Sequence, residues 1–329
     1  FMFIEVREYG AKVGISGGKL VITKEGSELG RFPIDMIESV AVHTSVQISS
    51  QAVAVLSGKG IKVVWINSAD EIICCTSADS PRFYSRRKGL YRMSADTALC
   101  LTVSNRIISA KIIRQADTLI LSGLYNDKDT SALKSLSDKA IICSNKLALL
   151  GTEGEAAKIY YSMLSRLFPK DMKFSGRHKH PPKDEINCAL SYSYTLLYNR
   201  IVLELTGTGL DPYCGFLHDN GYSRYTLACD IMEIFRSVIS DQAAVIFLKK
   251  CDSSYFCRKE NAVYLSDGGR KAFCSEFLEF LGSGCPDVYK KNGFPATYAG
   301  YIKGIIAELA FAADRYGSET FLYEESRCG

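Results

Sequence analysis

The period of the hydrophobic pattern changes once along the chain, and that change restricts the fold to a strand-rich part followed by a helical one. From Phe3 to about Thr76 the apolar residues fall in short runs, FIEVRE, KVGIS, KLVITKE, ELGRFPI, SVAVH and IKVVWIN, separated by Gly, Ser or Asn. Val and Ile in alternation suit half-buried strands. One short helix is expected to interrupt them at SSQAVAVLSGKG, with Ser49 or Ser50 as N-cap and Gly58 or Gly60 as its stop. From about Ser94 the apolar positions recur every three to four residues, beginning with ADTALCLTVSNRIISAKIIRQADTLILSG. Further helices are expected near 130–149, 152–168, 186–207, 225–240, 268–281 and 295–315. A chain of 329 residues is long enough for two domains. The expected fold is therefore α+β and multidomain, with a small, mostly-β N-terminal domain over 1–85 and a larger, all-α-helical domain over 86–329. The basic, Ser/Asp/Pro-containing stretch 77–92 is the expected linker.

Composition narrows the setting. With 47% hydrophobic and 23% charged residues the chain has the balance of an ordinary globular protein. No apolar run approaches the ~20 residues that cross a bilayer, so no membrane partner is expected. FMFIEVREYG does not read as a signal peptide, and a cytoplasmic location is the default. The 12 cysteines are scattered through apolar segments, singly except for Cys74 and Cys75, which as neighbours cannot easily bridge, and with no CxxC pair, so reduced, mostly buried thiols are expected rather than disulfides or a zinc site. The net charge of +4 barely favours a polyanion, but its distribution is uneven. Basic residues crowd into SPRFYSRRKGLYR, carrying Arg82, Arg86, Arg87 and Lys88, and into FSGRHKHPP, carrying Arg177 and Lys179. Phosphate-binding charge interleaved with stacking rings suits nucleic acid, although solvated basic loops share that composition.

Four histidines can each be weighed. His43 ends a strand-like run and reads as structural. His178 and His180 lie beside Arg177 and Lys179, where like charge opposes a metal ion. His218 differs: it follows an apolar turn after GTGLDPYCG and leads into RYTLACDIMEIFRSVISD. In that helix Leu227, Ile231, Ile234 and Val238 form an apolar stripe, and Asp230 and Glu233, three apart, project about one turn from each other. Two such carboxylates need a cation between them or basic partners, for which Arg236, Arg224 and Lys158 are available. Two carboxylates and an imidazole would suit Mg2+ or Mn2+ with positions left for water and substrate. LLGTEGEAAKIYYSML offers Glu153 and Glu155. Thr152 with Glu155 has the form of a capping box, which would occupy Glu155 at a helix start and free Glu153. Spacing leans to Glu153 without deciding between them.

The ordered blocks GTEGEAAKIYY, GRHKHPPKDEINCALSYSYTLLYNRI and GLDPYCGFLHDNGYSRYTLACDIMEIFRSVISD resemble the CRISPR-associated integrase family (Cas one), the catalytic subunit of spacer acquisition. An EG step before an Ala-rich helix, an Asn opening a Tyr- and Leu-rich helix, GLDP before a G-F-L-H turn, and a D-x-x-E helix ending in Arg carry the resemblance. It implies metal ligands at Glu153, His218 and Glu233, with Asp230 as a supporting acid in the catalytic set. It also places Arg177 and Asn187 around the site, and Arg224 and Arg236 beside the ligands. Ser237 stands where the family often has Pro, and Gln242 where Arg commonly follows the acid. Phe1 before Met2 suggests a tag remnant or a fragment, so a fused upstream domain is possible.

The resemblance further implies that the β domain forms a homodimer and that a small ferredoxin-like partner (Cas two) joins two such dimers in a heterohexamer. The assembly would hold double-stranded DNA and join its 3′-hydroxyls to repeat phosphodiesters by transesterification, or cleave DNA if water attacks. A stand-alone metal-dependent repair nuclease and a non-catalytic DNA scaffold are the rival classes.

Overall fold

The computed structural model describes residues 2–68, 70–76, 81–124, 127–174, 176–178, 181–218, 224–260 and 262–315, excluding the side chains of residues 81, 82 and 127. The chain divides into two compact units, one of residues 1–84 with 203–210, the other of 85–202 with 211–329.

The first unit is built on two four-stranded sheets. One orders its strands β1 (Met2–Val6), β5 (Ile37–His43), β7 (Lys62–Ile66) and β8 (Ile72–Cys75), with β1, β5 and β7 parallel and β8 antiparallel at the edge. The other runs β4 (Ser27–Pro33), β3 (Lys19–Lys24), β2 (Lys12–Ser16) and β6 (Gln47–Ile48). Gly17 and Gly18, at φ 55° and 71°, form the two-residue turn between β2 and β3, a conformation that side chains with a Cβ disfavour. The helix expected in this part is α1 (Ser50–Gly58), and the Ser49 hydroxyl accepts the Ala52 N–H at 3.1 Å as its N-cap. Ile4, Val13, Leu20, Val40, Leu56 and Val63 are among the buried residues of a core shared by both sheets.

The second unit is helical. Its elements are α2 (Pro81–Ala95, beginning in the first unit), α3 (Thr97–Leu121), α4 (Asp127–Ile141), α5 (Lys146–Leu164), α6 (Glu185–Gly207, whose last turn belongs to the first unit), α7 (Thr226–Phe235), α8 (Gln242–Lys250), α9 (Asp267–Gly282) and α10 (Tyr298–Asp314). A two-stranded antiparallel hairpin, β9 (Phe256–Lys259) and β10 (Ala262–Leu265), lies between α8 and α9. The expected order of a strand-rich part followed by a helical one is the observed one.

One local expectation changes form and another fails. The boundary between the two units, at 84/85, falls inside the stretch 77–92 expected as linker, but from Pro81 that stretch is helix α2, which buries Leu90 and Met93 three residues apart. Gly89 lets α10 approach: a Cβ there would sit 1.8 Å from the Ala313 carbonyl oxygen. Thr152 and Glu155 do not form a capping box, because α5 starts earlier. Asn145 caps it by accepting the Ala148 N–H at 2.9 Å, while the mid-helix Thr152 hydroxyl donates to the Ala148 carbonyl at 3.0 Å. Exposed Glu155 is left with a 3.7 Å pairing to Lys139.

Among the described residues no helix is long and apolar enough to cross a membrane. All described cysteines are free thiols.

Candidate metal centre

α7 was expected to bury one stripe and present its carboxylates, but nine of its ten residues are buried, Asp230 and Glu233 included. A carboxylate taken out of water must be compensated, and the two acids meet that requirement differently.

Asp230 is compensated by backbone. Its Oδ2 accepts the N–H groups of Phe216 and Leu217 at 2.6 and 2.9 Å, and its Oδ1 accepts the His218 N–H at 3.1 Å. The same Oδ1 lies 2.6 Å from His218 Nδ1. One carboxylate thereby ties down three residues of the G-F-L-H turn, whose Gly215 N–H goes to the Thr226 hydroxyl, and sets the ring: with Nδ1–H donating to Asp230, Nε2 keeps its lone pair for a ligand. Gly215 is required here, since a Cβ would come within 2.9 Å of both Asp230 Oδ2 and the Thr226 side chain. His218 is exposed, its side chain 44% accessible.

Glu233 is compensated by cations. Oε1 meets Arg236 at 3.0 Å and Oε2 meets the Lys111 ammonium at 2.8 Å. Lys111, reaching in from α3, also contacts Glu153 Oε1 from α5. Three helices thus bring Glu153 and Glu233 to one positive centre. Burial alone would raise the Glu233 pKa, but Arg236, Lys111 and His218 outweigh it and hold the carboxyl at about 2. Among the described residues, neither Arg224 nor Lys158, the other cations available on spacing, forms an ion pair with Asp230 or Glu233.

That shift has a consequence for the metal-free protein. A carboxyl at about 2 when folded and near 4.5 when unfolded contributes stability above pH 4.5 that disappears as pH falls from 4.5 through 2. Integrated over that interval the contribution is on the order of 3 kcal/mol. Denaturant unfolding in EDTA at stepped pH is expected to reveal this loss, and Glu233→Gln should flatten it; equal slopes for the two proteins would refute the assignment.

The donors of Glu153, His218 and Glu233 are of the kind a divalent ion takes, although their ligand atoms do not all lie within 4.8 Å of one another while Lys111 sits between the two carboxylates. Glu233 Oε2, although buried, has no hydrogen-bond partner of good geometry, so its only neutralisation is ionic. Glu153 reaches the same point, and His218 offers an imidazole nitrogen from a fixed ring. Hard oxygens plus one imidazole are the donors that Mg2+ and Mn2+ accept.

Behind Glu233 the helix widens into a π-helical segment, Arg236–Asp241, before α8. Its last residue, the buried Asp241, accepts hydroxyls from Tyr160 and Tyr194, each at 2.7 Å, and Tyr161 meets Tyr194 at 2.9 Å. The Tyr194 ring carries the guanidinium groups of Arg236 and Arg177 at 5.1 and 5.2 Å. Burial raises the Asp241 pKa, only partly offset by the two tyrosine hydroxyls and the arginines. Gln242 donates to the Ser122 hydroxyl at 2.8 Å.

The other sequence candidates separate. Asn187 is fully buried: its amide oxygen accepts from the His178 N–H and Arg177, and its amide nitrogen donates to the Gly176 carbonyl and Asp184. It fastens the 176–178 loop. Arg86 is committed to Asp314 at 2.6 Å, whereas Arg87, Lys88 and Arg224 are exposed. The Arg82 side chain, Lys179 and His180 lie outside the described residues. Sequence reasoning missed Lys111 and Asp241. The signal for Lys111 was a lysine set among isoleucines in NRIISAKIIRQ.

A second cluster was not foreseen. Among the described residues, Glu5, His43 and Asp70 of the first unit are the His/Cys/Asp/Glu group whose ligand atoms all lie within 4.8 Å of one another. Arg7 already fills it, 2.6 Å from Glu5 and 2.7 Å from Asp70, with His43 Nε2 3.1 Å from Glu5. A guanidinium at the centre makes this an ion-pair network.

The family described as CRISPR associated protein Cas1 matches residues 4–279. The chain belongs to this family. It is 30% identical over 277 residues to the CRISPR-associated endonuclease Cas1 1 of Thermodesulfovibrio yellowstonii, covering 80% of this chain and 86% of the relative. Its fold is similar to that of a casposase bound to integration product, with TM-score 0.79, 22% identity, and coverage of 99% of this chain and 94% of the other. It is similar also to a chain of a Cas6-RT-Cas1–Cas2 complex, with TM-score 0.76 and 18% identity, covering 99% of this chain and 36% of that longer one. The resemblance read from the three sequence blocks is thereby borne out at the level of family and fold.

Proposed function

We propose that the protein is a metal-dependent DNA endonuclease and integrase that inserts DNA fragments as new spacers into a CRISPR array. The observation that carries this reading is the convergence of Glu153 and Glu233 on one cationic point beside an imidazole set by Asp230, in a member of the Cas1 family. Glu153, His218 and Glu233 would hold Mg2+ or Mn2+. The ion would supply Lewis-acid polarisation of the scissile phosphate and a lower pKa for the attacking 3′-hydroxyl. The chain's own groups do the rest. Asp230 keeps His218 Nδ1 protonated and the ring still. Arg236, 3.0 Å from Glu233, and Arg177, which shares the Tyr194 ring with it, would offset charge growing on phosphoryl oxygens. Exposed Arg87, Lys88 and Arg224 are candidates for backbone phosphates.

DNA and a small Cas2-type subunit are the proposed partners, in a heterohexamer built on homodimers of this chain. The relatives support this choice: one fold neighbour is bound to an integration product, and another is part of a complex with Cas2.

The test is an integration assay. A duplex fragment with free 3′-hydroxyls is incubated with a repeat-bearing target, with Mn2+, Mg2+ or EDTA, and with or without the small partner. Joined product is expected only with metal, and a preference for the repeat only with the partner. Joining in EDTA would refute metal dependence. Cleavage without joining under every condition would reduce the protein to a nuclease.

A further inference from the structure

Lys111 marks the point where Glu153 and Glu233 meet but takes no part in the proposed chemistry, and its position is costly. It lies in the apolar stretch of α3 with Ile107, Ile108 and Ile112 buried around it, and its own side chain is 11% accessible. Burying an ammonium among isoleucines is unfavourable unless carboxylates compensate it. Here two do: Nζ contacts both Glu153 and Glu233. Those are the two carboxylates proposed to hold the metal.

We infer that Lys111 is an internal cation that keeps Glu153 and Glu233 assembled in the metal-free protein, must withdraw when a divalent ion binds, and so sets the affinity of the site for metal. The charges lead to this view. Glu153 and Glu233 contribute −2, Lys111 and Arg236 contribute +2, and the resting cluster is neutral. A divalent ion added to an unchanged cluster would leave +2 buried at one point, with an ammonium and a dication competing for the same oxygens. Glu233 Oε1 is already engaged by Arg236, and Oε2 is the atom Lys111 occupies without hydrogen-bond geometry. Lysine suits this exchange better than arginine, because its point charge on a flexible four-carbon stem can leave an oxygen without breaking a bidentate lock. Lys111 is thus a positioning residue: it pre-sets the distance between two carboxylates that would otherwise repel.

This inference rests on the metal-site reading, and the test separates the two. Mn2+ binding is measured without DNA, from the free-ion electron paramagnetic resonance signal, alongside thermal unfolding in EDTA and in Mn2+. Lys111→Met and Lys111→Gln are expected to bind Mn2+ roughly tenfold more tightly than the parent. Both should melt several degrees lower in EDTA and gain more from Mn2+ than the parent does. Should the methionine variant fail to fold in EDTA, glutamine keeps a donor at the position, and both proteins can be folded in Mn2+ and titrated with a chelator. Lys111→Arg, which keeps the charge, should bind Mn2+ no more tightly than the parent. Unchanged or weaker Mn2+ binding by the methionine and glutamine variants, with binding lost in Glu153→Ala and Glu233→Ala, would overturn the role of Lys111 and leave the site intact. Parent-like binding by the two glutamate variants would overturn both.

Discussion

Alanine at Glu153, His218 or Glu233 is expected to lower the rate of strand joining by about 10³-fold or more, since each removes part of a charge clamp worth several kcal/mol in the transition state. The three variants should differ in stability, and that difference makes them informative. Glu233→Ala strips the buried Lys111 and Arg236 of their shared partner and should cost about 3–5 kcal/mol, as breaking one side of a buried ion pair does. Glu153, with a side chain 24% accessible, should cost less. His218 is the cleanest case, because its ring is largely exposed and Asp230 retains three backbone N–H donors without it. His218→Ala should therefore melt near the parent temperature, bind duplex DNA, and join nothing. A folded His218→Ala protein that joins strands at the parent rate would remove the imidazole from the site.

The strand-to-helix order was legible because it depends on hydrophobic period, which tertiary contacts reinforce. Legibility ended where glycine or charge masks a helix. Gly151 and Gly154 inside α5 made LLGTEGE look like a loop ahead of a capped helix, although Asn145 had already started it. SPRFYSRRKGLYR has few apolar residues, but Leu90 and Met93 suffice to dock α2, with Gly89 fitting against α10. The acids of α7 were visible as a pair one turn apart, but spacing gives no burial, and burial separates them: Asp230 is held by backbone N–H groups, Glu233 by cations. Lys111 was beyond reach for a different reason. It finds Glu153 42 residues later, and Glu233 farther along still. No local pattern records a pairing between α3, α5 and α7.

Asp230→Ala should be the most damaging change at a residue outside the proposed metal ligands. The Asp230 side chain has no accessible surface and accepts four hydrogen bonds, three from consecutive backbone amides and one from His218 Nδ1. Alanine leaves those amides without their acceptor in a turn whose residues 215–217 are buried. The cost should be on the order of 3–5 kcal/mol, as expected when buried donors lose a charged acceptor. Function should fall for a second reason: without Asp230 neither the tautomer nor the orientation of His218 is fixed, and loss of such an orienting carboxylate typically lowers metal affinity or activity about 10- to 100-fold. Asp230→Asn separates the two effects. Its amide oxygen can serve one pair of the four donors, while its NH2 group faces the other pair, so it should recover part of the stability and little of the Mn2+ affinity. Melting temperature and Mn2+ binding measured on both variants decide the matter. If Asp230→Asn binds Mn2+ as the parent does, Asp230 acts on the fold of the turn alone and not through the imidazole.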